Sequence, residues 1–174
     1  EAGNADDGTD NENVFVGYNA AYYNVDGYYN VFVGLGSGYS NISGRHNTYV
    51  GNQAGRSSIS SIDNSFFGSL AGFRNTFGSY NVFLGTSSGV SNDYGSNNTF
   101  TGNDSGFKNT IGSRNTFNGR ASGFNSVEGD DNTFMGFESG YGNTHGSFNI
   151  AIGNLSNSLG INFDNSIGVG YDAD

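Results

Sequence analysis

The chain has 174 residues, 30 of them Gly, with no Pro, no Cys and a net charge of −10. Six Lys or Arg leave no basic patch for a phosphate backbone, which excludes nucleic acid as an expected partner. Absent Cys excludes disulfides and thiolate metal sites, and no apolar run is long enough for a transmembrane helix.

Residues 1–12 (EAGNADDGTDNE) read as an acidic segment ahead of the main body. From Asn13 a 17-residue unit repeats with no insertion or deletion, its rungs starting at Asn13, Asn30, Asn47, Asn64, Asn81, Asn98, Asn115, Asn132 and Asn149. A partial rung, SIGVGYDAD, occupies 166–174, so 13–174 is one repeat domain. A fixed period of this length implies one structural unit stacked on copies of itself. The strict register also separates the chain from disordered sequences of similar Gly, Asn and Ser content.

With the unit numbered as slots 1 to 17, slot 1 is Asn in all nine full rungs. Slot 3 is aromatic in eight: Phe15, Phe32, Tyr49, Phe66, Phe83, Phe100, Phe117 and Phe134, with Ala151 in the ninth. Slot 5 is always Gly: Gly17, Gly34, Gly51, Gly68, Gly85, Gly102, Gly119, Gly136 and Gly153. Slot 8 is always Ala or Ser; slot 9 is Gly in seven rungs, slot 12 Asn in six and slot 15 Gly in seven. Slot 10 is usually aromatic.

Slots 1–4, rich in Val, Thr and Phe, predict a short strand. The slot 5 Gly ends it at a corner of positive φ. Slots 7–11 predict a second short strand, and Asn and Gly at slots 12 and 15 a return turn. No apolar period of a helix survives the recurring Gly and Asn. The expected fold is therefore all-β: a parallel β-solenoid, or β-roll, of about nine rungs with two short strands each. At about 4.8 Å per rung the stack is roughly 43 Å long.

Alternation puts slots 1 and 3 on one side of the strand and slots 2 and 4 on the other. With slot 3 inward, the phenylalanines form an axial ladder, the small slot 8 makes room for it, and slot 10 aromatics complete the interior or lap its edge. Stacked Asn at slots 1 and 12 are expected to bond up the column through their amides. Slot 4 then faces out and is apolar in seven of nine rungs: Val16, Val33, Val50, Phe67, Leu84, Met135 and Ile152. A long outward apolar stripe points to a partner surface. The reverse assignment would move that stripe to the Phe column.

NIAIGNLS (149–156) and SIGVGYDA (166–173) resemble the S-V-A-I-G-x-x-A repeats in the heads of trimeric autotransporter adhesins. The N-T-F-x-G-x-x-[AS]-G rungs are similar to repeats of bacterial surface proteins and phage tail-fibre shafts. The resemblance spans about residues 13–173. It implies a left-handed parallel β-roll packed side by side as a homotrimer, and an extracellular, cell-surface or virion-fibre setting. This chain differs in its 17-residue rung and in carrying Phe where those heads carry Ala.

Chemistry-bearing residues are sparse. His46 at slot 17 and His145 at slot 14 lie about six rungs apart and read as solvated turn residues. No Ser-His-Asp constellation assembles, and the chain reads as a non-enzyme. Two acidic groups are weak Ca²⁺ candidates: Glu128, Asp130 and Asp131 on one turn edge, and Asp6, Asp7, Asp10 and Glu12 near the start. Solvated carboxylates are the plainer reading of both, and no cofactor is otherwise expected. Sequons fall at Asn41, Asn97, Asn103 and Asn154. Tyr18, Tyr22, Tyr23, Tyr28 and Tyr29 cluster in the first rung, as a sugar-stacking surface or as an interface.

The expected function is a structural fibre or adhesin-type module that associates with copies of itself, side by side or head to tail. In the head-to-tail form, the partial last rung is completed by the next subunit's N-terminal segment. A cell-surface glycan or host receptor is a possible further partner. The alternative is a ligand-binding solenoid that uses a flat repetitive face for ice or glycan.

Overall fold

The computed structural model describes residues 1–5, 11–157 and 164–173. Each rung contributes one three-residue strand: β1 Val14–Val16, β2 Val31–Val33, β3 Thr48–Val50, β4 Ser65–Phe67, β5 Val82–Leu84, β6 Thr99–Thr101, β7 Thr116–Asn118, β8 Thr133–Met135, β9 Ile150–Ile152 and β10 Ile167–Val169. All are parallel and pair in sequence order in one ten-stranded sheet. The register never slips: Phe83 lies opposite Phe100, and Phe100 opposite Phe117. The chain is thus a parallel β-solenoid with a 17-residue coil.

Among the described residues the expected second strand is absent. Slots 7–11 run as consecutive turns, because slots 7 and 9 adopt left-handed backbone in rung after rung, as at Gln53 (φ 54°), Gly55 (φ 56°), Leu70 (φ 60°) and Gly72 (φ 58°). A strand cannot pass through such angles. The turns still bond between rungs: Gly72 N–H donates to Ser88 O at 2.9 Å and Leu70 N–H to Asn52 O at 2.9 Å. Left-handed non-Gly residues cost roughly 1–2 kcal/mol each; here each buys an inter-rung hydrogen bond.

The interior is the slot 3 column. Phe32, Tyr49, Phe66, Phe83, Phe100, Phe117 and Phe134 are fully buried, with ring centroids 4.7–4.9 Å apart and planes within 8° of parallel. Slot 9 needs Gly because a Cβ on Gly89 would sit 2.5 Å from the Phe83 ring. Of the two exceptions, Asn157 obeys the same geometry, because its rung has Ala151 at slot 3, whereas Ala21 shares the first rung with Phe15, which is only partly buried.

Slots 1 and 12 form the polar half of the core. Each slot 1 Oδ1 accepts the backbone N–H of the residue one rung on, at 2.8–3.0 Å from Asn13 through Ser166. Its Nδ2 donates across the coil to the slot 15 carbonyl, as from Asn98 to Gly112 O at 2.8 Å. The column is therefore held chiefly by side chain to backbone bonds, with amide–amide bonds as an addition. Slot 12 behaves as expected, Asn92 Nδ2 donating to Asn75 Oδ1 at 2.6 Å.

The described residues before Asn13, 1–5 and 11–12, bond to the first rung of the stack. Gly3 and Ala5 N–H donate to Ala20 and Tyr22 O, and Tyr29 N–H donates to Asn11 O, the bonds that slots 9, 11 and 17 make later.

Candidate functional site

Slots 2 and 4 point out from the sheet, so the flat outer face is built of strand rows flanked by slot 17 of the preceding rung and slot 6. Val16 is 55%, Leu84 49%, Ile152 40% and Ile167 73% exposed, so no part of the described chain covers this face. Of the stripe residues, Phe67 and Met135 are exposed too, and Val33 and Val50 are half-buried by their neighbours.

Read by rows, the stripe is two patches. The first runs from β1 to β5 and includes Val14, Val16, Val31, Val33, Val50, Phe67, Val82 and Leu84. The second runs from β8 to β10 and includes Met135, Phe137, Phe148, Ile150, Ile152, Ile167 and Val169. Between them β6 and β7 form a polar belt: Asn97, Thr99, Thr101 and Asn103, then Arg114, Thr116, Asn118 and Arg120.

The belt's cations are paired. Arg114 Nε lies 2.7 Å from Asp131 Oδ1 and its Nη2 3.1 Å from Asp130 Oδ2. The Arg114 guanidinium holds Asp131 below the usual carboxylate range, and the Asp131 hydrogen bond and charge push Arg114 up. Arg120 pairs with Glu138 at 3.5 Å. Of the Ca²⁺ candidates, Asp130 and Asp131 thus face a guanidinium. Asp130 Oδ1 also accepts Ser113 N–H at 2.8 Å, and Glu128 stands exposed. Among the described residues no three acidic, His or Cys side chains converge as metal ligands. Of the second candidate, Asp6, Asp7 and Asp10 lie outside the described residues.

The histidines sit apart. His46 lies 3.3 Å from Asp63 and stacks on Tyr29, while His145 Nδ1 is 2.9 Å from Thr144 Oγ1. The early tyrosines form two clusters, Tyr22 and Tyr23 with Tyr39, and Tyr28 and Tyr29 with His46. Slot 10 aromatics lap the outer edge, half-buried, with Phe107 stacked on Phe124 at 4.9 Å. Their faces cover one another, so interior rings of that column offer only edges to a sugar. Of the sequons, Asn41 is buried, while Asn97, Asn103 and Asn154 are exposed.

Sequence reasoning missed a buried hydroxyl cluster. One rung departs from the repeat three times: Tyr49 for Phe, Ser58 for Asn and Ser61 for Gly. The departures meet in space. The Tyr49 hydroxyl lies 2.8 Å from Ser58 Oγ and 3.1 Å from Ser61 Oγ, and the two serines bond each other. Burial pushes the Tyr49 hydroxyl up to about 12, against the opposing effect of these bonds. Three departures in one rung were the available signal.

Fold and surface together define a single-sheet parallel β-solenoid with an uncovered, partly apolar sheet face. No protein-family model matches the chain, and neither a curated protein nor a solved structure matches it.

Proposed function

We propose that this chain is a non-catalytic structural module that assembles side by side with copies of itself through the outer sheet face. The carrying observation is the uncovered pair of apolar patches, from Val14 to Leu84 and from Met135 to Val169. Monomeric proteins rarely leave contiguous apolar areas of this kind in water. The polar belt supports a fixed register between copies. Aligned at equal height, belt meets belt and patch meets patch; a shift of two rungs sets Leu84 and Val82 against Arg114 and Arg120. Burying an apolar side chain is worth roughly 1.5–3 kcal/mol, and a misplaced charge opposes that gain. The reading extends to a homotrimer of adhesin-head type, to end-to-end stacking of rungs and to an extracellular or virion fibre. Among the described residues no helix is long and apolar enough to cross a membrane.

The test uses Leu84→Lys and Ile152→Lys, both at exposed positions. Light scattering should show both variants at lower mass than the parent with unchanged circular dichroism. A parent and variants of equal mass would end the proposal.

One observation favours a second reading of the same face. Thr99, Thr116 and Thr133 are consecutive partners in register, with Thr101 beside them. Such an array can order water against ice, and a thermal hysteresis assay separates this role from assembly.

A further inference from the structure

The turn side of the coil carries two shallow grooves, of about 560 and 400 Å³, that meet at Arg74 and Ser91. The larger runs along the axis from Ser57 to Val127, between the slot 11 column and slots 13 and 14. That takes in five rungs, or four spacings of about 19 Å in all. Its floor follows the buried slot 12 residues Asn75, Asn92 and Asn109.

The groove is electrostatically unlike the rest of the molecule. Of six Lys and Arg in a chain of net charge −10, Arg74 and Lys108 line it and Arg56 stands at the adjoining slot 10 column. Among the described residues none of these three has a carboxylate at ion-pair distance, whereas Arg114 and Arg120 both do. Arg56 lies over the rings of Tyr39 and Phe73, at 5.0 and 5.8 Å. Between Arg74 and Lys108 stands Asp93, whose Oδ1 is buried without a hydrogen-bond partner. Asp93 as a residue is only part-buried and lines the groove. Ser57, Thr76, Ser91 and Thr110 complete a hydroxyl-rich wall.

We propose that this groove binds an extended acidic oligosaccharide. Its carboxylates pair with Arg74 and Lys108, and a ring hydroxyl donates to Asp93. The two cations sit two rungs apart, about 9.6 Å along the axis, which suits carboxylates on alternate rings of an extended sugar chain. A carboxylate between two cations disfavours a run of phosphates and favours a ligand with hydroxyl donors as well as anionic groups. The groove lies away from the sheet face, so it stands or falls separately from self-association.

The test is calorimetric titration with a tetrasaccharide of uronic acids, beside the same chain with its carboxyls reduced to alcohols. The acidic chain should bind and weaken as salt rises. Arg74→Ala and Lys108→Ala should each cost about tenfold in affinity, as charge-assisted hydrogen bonds do, with unchanged circular dichroism. Asp93→Asn, which replaces one carboxylate oxygen by an amide donor, should also weaken binding. Leu84→Lys should leave binding intact. Absence of binding, equal binding of the reduced chain, or full affinity in the Arg74 and Lys108 variants would overturn the proposal.

Discussion

Asn109 Oδ1 and Ser126 Oγ are neighbours in the slot 12 column, one rung apart, and both are buried without a hydrogen-bond partner. Elsewhere in that column an Asn amide reaches back to the previous Asn, as Asn109 Nδ2 does to Asn92 Oδ1 at 2.7 Å. Ser126 is too short for that reach. In the earlier rung that also carries Ser at slot 12, the Tyr49 hydroxyl fills the space and bonds Ser58. Phe117 supplies no such hydroxyl, so the serine is bonded in one rung and not in the other, while the Oδ1 of the preceding Asn, Asn41 or Asn109, lacks a partner in both.

It follows that Phe117→Tyr should be tolerated, because the new hydroxyl meets Ser126. Its effect should stay within about 1 kcal/mol of the parent in either direction. Phe100→Tyr, whose hydroxyl would press on Asn109, should cost about 1–3 kcal/mol by overpacking. Denaturant midpoints of the two variants measure the contrast. Equal midpoints would show that slot 12 does not decide which ring slot 3 accepts.

Tyr49 also gives the fold a pH dependence. Its pKa rises from 10.0 to about 12 on folding, so the folded state keeps a proton that the unfolded state gives up. The associated stability is fully present below pH 10 and is lost as pH climbs from 10 to 12, about 3 kcal/mol in all. Tyr49→Phe should abolish that part of the slope while lowering stability at neutral pH by roughly 1–3 kcal/mol, because Ser58 and Ser61 lose a partner. Unfolding curves across this range, for parent and variant, provide the comparison.

The corner glycines admit nothing larger. Gly85 has φ +139°, and a Cβ there would lie 2.5 Å from Gly102 O, which is backbone and cannot turn aside. Gly85→Val should disrupt its rung and lower the melting temperature strongly. An unchanged melting curve would contradict the corner geometry.

Asn98 combines two buried bonds, one to Gly112 O and one from Asn115 N–H at 2.9 Å. Asn98→Ala leaves the buried Asn115 N–H without an acceptor, while Gly112 O keeps its bond from Asn109 Nδ2 at 3.0 Å, and should cost about 1–3 kcal/mol. Hydrogen exchange at Asn115 should rise in step with the loss.

The slot 1 Asn, slot 3 aromatic and slot 5 Gly were legible because each recurs at one period and each has a single physical use. The second strand was misread at slots 7–11. Small and apolar side chains there fit a short strand, while residues such as Gln53 and Leu70 give no hint of left-handed backbone. Gly at slot 9 was the overlooked sign, since Gly weakens a strand and marks close approach. The polar belt was written in the sequence as well. Slot 4 taken alone looks apolar, and only rows such as Asn97, Thr99, Thr101 and Asn103 expose the break. Arg74 and Lys108 share slot 11 two rungs apart, but that Asp93 at slot 13 stands between them emerged only when the coil set slot 13 beside slot 11.

Sedimentation equilibrium of the purified chain over a wide dilution range tests self-association most directly. The account predicts a discrete mass that is a multiple of the 18.3 kDa chain, three times it for an adhesin-like trimer, falling only at high dilution. A single 18.3 kDa species at every concentration would contradict it.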